Sequence, residues 1–310
     1  MAPHTARACA SRLGAARLAL VLSIAGVAPL AAQEGRSSID TTFRFAPEGR
    51  VTLNIISGEV RVSSWDRNEI RIVASTERGR LITELSTEAV RLEVRPVDRQ
   101  TGRTRYEVTV PVGARVAARA VSAPVVVNGV RGDLTVNTVS GNIDVAGTQR
   151  SAELETVSGR VSLRDHAGNA TVATVSGSVS IEALRGALDV RTVSGGVRAD
   201  RASLTTLRHK SVSGGLDFTG TLASDGRSEI ETHSGNVALR VPSTFAATVE
   251  MQSFSGELNS DFAVTLQPGT TGGRGRRMDV AVNGGGARLA IKTFSGDIFL
   301  RKSDAARQEH

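Results

Sequence analysis

The sequence predicts an all-β protein, a single-chain β-solenoid of about 18–21 residues and two strands per coil with a β-rich cap at its N-terminal end. Three observations predict it. The dipeptide Ser-Gly recurs in one local context at Ser140, Ser158, Ser176, Ser194, Ser213, Ser234, Ser255 and Ser295, in steps of 18, 18, 18, 19, 21, 21 and 40 residues. Apolar residues flank each copy with a spacing of two, as in Leu134 and Val136 before the first and Ile143 and Val145 after it, and that spacing means strand. Gly is abundant at 32 residues and Pro sparse at 8, beside many β-branched Val and Thr residues that suit a pleated surface.

The elements follow in chain order. Arg7, Arg12 and Arg17 precede an uncharged apolar run, Leu18 to Ala32, that ends in small residues. Its 15 residues fall short of the roughly 20 that a membrane-spanning helix needs, so residues 1–32 read as a secretory signal cleaved after Ala32. No second long apolar stretch follows, so the mature chain is expected to carry no transmembrane segment.

Residues 33–115 form a β-rich capping segment. Ile39, Phe43 and Phe45 alternate with polar residues, then Val51, Leu53 and Ile55, then Val60 and Val62, with turns at Pro47-Glu48-Gly49 and Trp65 to Asn68. Residues 77–90 fit either a short helix or a strand. Residues 116–300 are the solenoid proper, about nine or ten coils. Each repeat reads Thr-Val-Ser-Gly, then an apolar residue at every second position; the Gly supplies the backbone freedom of a sharp corner. Equal steps favour stacked coils of equal circumference over an array of antiparallel hairpins, whose loops need not match. The 40-residue step suggests a coil that lost its marker or gained an insertion. Within it, residues 266–279 read as an exposed basic loop carrying Arg274, Arg276 and Arg277, and residues 301–310 are a polar tail.

Composition excludes several chemistries. The only cysteine, Cys9, lies in the signal, which leaves no thiol nucleophile or thiolate metal site in the mature chain. Removing residues 1–32 lowers the formal charge from +7 to +4. Scattered basic residues and scarce aromatic rings argue against a nucleic-acid surface. His166, His209, His233 and His310 occupy different repeat positions, so stacking does not gather them into a metal site; they read as scattered surface residues. No calcium-binding nonapeptide is present, since Arg274 and Arg276 stand where Asp is required in Gly272 to Arg276. Nor do the carboxylates form a column that would suit glycoside cleavage. No cofactor is expected.

One column of the repeat is a candidate contact surface: Val139, Val157, Val175, Val193, Val212, His233, Phe254 and Phe294. If alternation runs unbroken through the corner, these residues form an exposed apolar stripe, as partner surfaces often do. If the corner resets alternation, they enter the core. Corners commonly do reset it, which favours the buried phase.

The Thr-Val-Ser-Gly-x-apolar-x-apolar units resemble an uncharacterised bacterial family of secreted β-strand-repeat proteins, commonly described as adhesins. Ser57-Gly58-Glu59-Val60-Arg61-Val62 followed by Trp65-Asp66 looks like the family's opening unit, and Tyr106 to Pro111 followed by Gly113 resembles its link into the repeats. The likeness spans residues 38–301. It implies this fold and a place in the cell envelope, periplasmic or at the cell surface, and it carries over no catalytic residue. The expected function is an exported, non-catalytic, envelope-associated binding module of adhesin type, with envelope polysaccharide or a surface protein as partner. Two alternatives stand beside it: a scaffold that docks a protein along the repeat face, and a polysaccharide-active enzyme.

Overall fold

A computed structural model describes residues 37–97, 102–263, 265–266 and 276–303. The described residues contain strands and turns but no helix, so none is long and apolar enough to cross a membrane; spanning strands are a separate matter. The strands form a β-solenoid, and from Arg115 to Ser303 they make nine coils of two strands each.

In one coil, Gln149–Thr156 runs to the Ser-Gly corner and Val161–Arg164 returns from it. The first strand pairs in parallel with Leu134–Thr138 and Ala167–Thr174, and the second with Ile143–Ala146 and Val179–Glu182. The pairing steps by one 18-residue unit, as in Leu154 beside Val172 and Val161 beside Val179. Alternation explains the core. Ala152, Leu154, Val161 and Leu163 point inward and are buried, while Glu153 and Glu155 face solvent. Each coil alone would leave its apolar face wet, and stacking closes the core into one continuous cluster.

The coils do not stack in chain order at either end. The strand Arg50–Trp65 turns a corner and forms a coil of its own. It lies between the coil of Arg115–Ser122 and Val125–Asn128 on one side and that of Ala89–Arg95 and Thr104–Pro111 on the other. The C-terminal end repeats the arrangement. Ala287–Thr293 pairs with Arg227–Thr232 on one side and Ala247–Ser253 on the other, so the last coil in sequence is the penultimate coil in space. Its second strand, Ile298–Ser303, likewise lies between Val237–Pro242 and Leu258–Ser260.

Antiparallel strands close the ends. Arg80–Leu85 pairs with Ala89–Arg95; Glu69–Thr76 pairs with Thr104–Pro111 and is itself covered by Ser37–Arg44. At the far end, Arg276–Val282 pairs antiparallel with Ala247–Ser253 and then with Thr265–Leu266. Reversed strands at the ends break the parallel template that an open edge would offer to another chain.

Three sequence-based expectations change. The 40-residue step is an insertion and not a coil without its marker: the chain lays down one coil, turns back in the strand Arg276–Val282, and fills the vacant slot behind it. The supposed loop 266–279 is shorter, because Arg276 and Arg277 belong to that strand; residues 267–275, Arg274 among them, lie outside the described residues. Residue 115 is no seam between a cap and a solenoid, since Arg115–Ser122 pairs directly with Arg50–Ser57. Residues 77–90 contain the strand Arg80–Leu85.

Candidate functional site

The Thr-Val-Ser-Gly corner is built by local hydrogen bonds. Thr156 is the last inward residue of its strand, and its buried Oγ1 accepts the Gly159 amide at 3.0 Å. Thr138, Thr174 and Thr192 do the same for Gly141, Gly177 and Gly195, and Ser211 and Ser253 for Gly214 and Gly256. A buried hydroxyl needs a partner, and the first amide beyond the bend supplies it. The Ser between them faces out, and its amide donates to the carbonyl of the column residue one coil below, as Ser158 does to Val139 at 3.0 Å.

The Gly is required by space rather than by torsion. A Cβ on Gly159 would lie 1.9 Å from the carbonyl oxygen of Gly141, and one on Gly177 1.9 Å from that of Gly159. None of the Gly residues of these corners between Gly141 and Gly296 has a positive φ. The opposite corner is where left-handed backbone occurs, at Gly129, Gly147, Asp165, Ala183 and Arg201 in register.

This geometry decides the phase of the column. Alternation continues through Val157 and is reset one residue later, at Ser158, so Val157 points outward. Val139, Val157, Val175, Val193 and Val212 are 45–52% exposed, and Phe254 and Phe294 are each 48% exposed. His233 is exposed with them. The buried phase favoured by the corner rule is therefore corrected. The row extends beyond the residues that the sequence singled out, to Val121 and Ile56, which precede Ser122-Ala123 and Ser57-Gly58 in the same register. Ile56 precedes an outlying Ser-Gly, but its distance in sequence hid that its coil joins the same stack.

The C-terminal end of the row is aromatic. His233 stacks on Phe294 with ring centroids 4.8 Å apart, and Phe294 stacks on Phe254 at 4.8 Å. Spatial order is thus His233, Phe294, Phe254, which follows from the inserted last coil. The rings lie face to face and so present their edges to solvent. Beside the row runs a shallow groove whose far wall is the outward residue two positions earlier: Asn137, Glu155, Arg191 and, at the aromatic end, Lys210, Glu231 and Lys292.

The other sequence candidates do not join this surface as a cluster. Arg277 is paired with Glu250 at 3.4 Å and with Asp279 at 3.2 Å. The histidines do not converge; among the described residues no group of three metal-ligating side chains does. Two of them are core residues, which corrects their reading as surface groups. His166 is buried, with Nδ1 2.8 Å from the Thr148 hydroxyl. His209 is fully buried between Val190 and Ile230, and neither ring nitrogen makes a hydrogen bond of ordinary geometry. Residue 310 lies outside the described residues.

Burial holds the His209 imidazole neutral and pushes its pKa down to about 4, against a weaker opposing pull from the Gly214 backbone. The unfolded chain therefore binds the proton first. The stability this residue allows is fully present above about pH 6.5 and is lost as the pH falls towards 4, on the order of 3 kcal/mol. Burial lowers the pKa of His166 as well, so it adds to the same trend. His209→Leu is expected to flatten most of this acid dependence in urea melts at pH 7 and pH 4; an unchanged difference between the two would contradict the assignment.

Among solved structures, a "putative lipid binding protein" from Parabacteroides distasonis aligns at 10% identity over 88% of this chain and 98% of its own, with a TM-score of 0.51. A "putative adhesin" from Bacteroides fragilis aligns at 12% identity over 66% and 97%, with a TM-score of 0.39. A "putative cell adhesion protein" from Clostridium sporogenes aligns at 11% identity over 86% and 100%, with a TM-score of 0.27. At 10% identity, the likeness to the first concerns the fold alone. No curated protein matches the chain in sequence. The Toastrack DUF4097 model matches residues 52–301, which take in the coils, both interleaved ends and every rung of the exposed row, and the chain belongs to that family.

Proposed function

We propose that this chain is an exported, non-catalytic module of the cell envelope that binds through its corner ridge, with envelope polysaccharide or a surface protein as partner. The observation that carries the reading is the unbroken exposed row from Ile56 through the valines to Phe254. Large apolar side chains held half out of water in register are unusual away from a contact surface. A regular row also offers many equivalent weak contacts, which add up through avidity.

The chemistry of the row favours the protein partner. Its rungs are mainly valine, which offers no hydrogen bond to a sugar hydroxyl, and its stacked rings turn their edges outward. The sequence-based alternative of a polysaccharide-active enzyme gains no such support. Asp144 and Asp217 hold the same position four residues after the repeat Ser but lie on different coils, and Asp217 is engaged by Arg240 and Arg198.

Co-sedimentation of the purified protein with separated envelope fractions tests the proposal. Retention by one fraction that persists at high salt is expected, because apolar contacts are not screened. Retention lost at high salt would assign binding to surface charge, and absence of retention by every fraction would remove the envelope partner; either overturns the reading.

A further inference from the structure

We propose that the partner on the ridge is a second copy of this chain, packed antiparallel about a two-fold axis that crosses the ridge at Val175. The inference rests on the reading of the ridge as the contact face and names the surface protein that covers it: a copy of this chain held in the envelope competes with a copy in solution for the same ridge.

Period comes first. The rungs repeat at the strand spacing, about 4.8 Å. An apolar row of that period is matched rung for rung by another row of the same period, and this chain carries one. Val175 stands on the middle coil: five coils lie between it and each end of the parallel stack. Two ridges crossed by a two-fold axis there overlap over the nine rungs from Ile56 to Phe294, about 40 Å, and Phe254 of each copy reaches the end coil of the other at Arg95. Val157 then meets Val193, Val139 meets Val212, Val121 meets His233, and Ile56 meets Phe294. A strip about 18 Å wide along that length covers roughly 700 Å² per copy, within the range of standard stable interfaces. The ridge with one residue row on each side provides it.

Charge fixes the register. The row beside the ridge reads, in spatial order, Glu93, Asn54, Arg119, Asn137, Glu155, Ala173, Arg191, Lys210, Glu231, Lys292 and Gln252. In the antiparallel pair centred on Val175 this row faces its own reverse. Glu155 of each copy meets Arg191 of the other, and Arg119 meets Glu231. No like charges in the row oppose each other. Sliding the axis one rung towards Val193 puts Glu155 against Glu231, and one rung towards Val157 puts Arg119 against Arg191. Half-rung slides put Arg119 against Lys292 or Lys210. Like-charge opposition disfavours all four, so among the registers within one rung of greatest overlap only this one survives. Glu153 and Asp189 would also face each other, but they stand one row further back, about 7 Å along the strands.

Sedimentation equilibrium and cross-linking test the pair. The wild-type protein is expected to sediment as a reversible dimer. Glu155→Arg and Arg191→Glu should each weaken it by about tenfold or more, and the double exchange should restore it. In a Cys9→Ser background, Val175→Cys should cross-link to itself with a short bismaleimide. Val139→Cys should not, but a mixture of Val139→Cys with Val212→Cys should. All of these positions are at the surface, and unchanged melting confirms that the variants fold. A protein that stays monomeric up to on the order of 100 μM overturns the inference. So does a double exchange that fails to restore the dimer, or self-cross-linking at Val139, which would mean parallel ridges. A monomer that still sediments with the envelope would overturn the second copy while leaving the binding function in place.

Discussion

Replacing Gly195 by alanine is expected to lower stability by roughly 3–5 kcal/mol, while the same change at its neighbour Gly196 stays within about 0.5 kcal/mol. The two glycines are adjacent in sequence and share the same backbone freedom. They differ in what surrounds them. A Cβ on Gly195 would fall 1.9 Å from the carbonyl oxygen of Gly177, and that oxygen belongs to the backbone of the next coil, which cannot turn aside. A Cβ on Gly196 meets nothing within 4 Å. Urea denaturation of the two variants checks the claim. Equal effects would mean that the corner needs glycine for flexibility, as the repeat alone suggests, and not for close approach of stacked coils.

Ile291→Asp is expected to cost about 5 kcal/mol at the C-terminal end and to unfold more than its own coil. Ile291 is fully buried between Ile230 and Met251. A carboxylate there has no partner, so the coil cannot stay seated. Because that coil is interleaved, the strand Ala247–Ser253, more than thirty residues earlier in the chain, loses its parallel neighbour with it. Contacts in a solenoid reach only adjacent coils, so the strands from Leu134 to Thr192 should keep theirs. Hydrogen exchange distinguishes the outcomes: protection should fall in 247–253 and 287–303 together and persist in 149–192. Loss confined to 287–303 would contradict the interleaved order.

The body of the fold was legible because each coil repeats the same instruction. Leu154, Thr156, Gly159 and Val161 state an inward phase, a corner and a return, and stacking follows from equal length. What was not legible depends on which copy pairs with which. Strands such as Arg227–Thr232 and Ala247–Ser253 carry similar patterns and could pair directly; only the spatial order shows that Ala287–Thr293 separates them. The 40-residue step is visible, yet it leaves a coil without its marker and an insertion equally open, because pairing out of chain order leaves no local mark. The same blindness hid Ile56 from the ridge. The phase of Val157 turned on whether alternation is reset at the Val or at the Ser, a difference of one residue that the pattern does not encode. His209 looked like a surface residue because its position relative to the Ser-Gly marker, not its chemistry, was used. Counting by twos from Leu207 would have placed it inside.

The proposed function requires the valine row to be a contact surface and not part of the core. The double variant Val157→Asp/Val175→Asp tests it most directly, by thermal melting and envelope co-sedimentation on the same preparation. A melting temperature within a few degrees of wild type is expected, since both side chains are already exposed, together with loss of retention. Unfolding of the variant, or retention undiminished by two charges in the middle of the ridge, would contradict it.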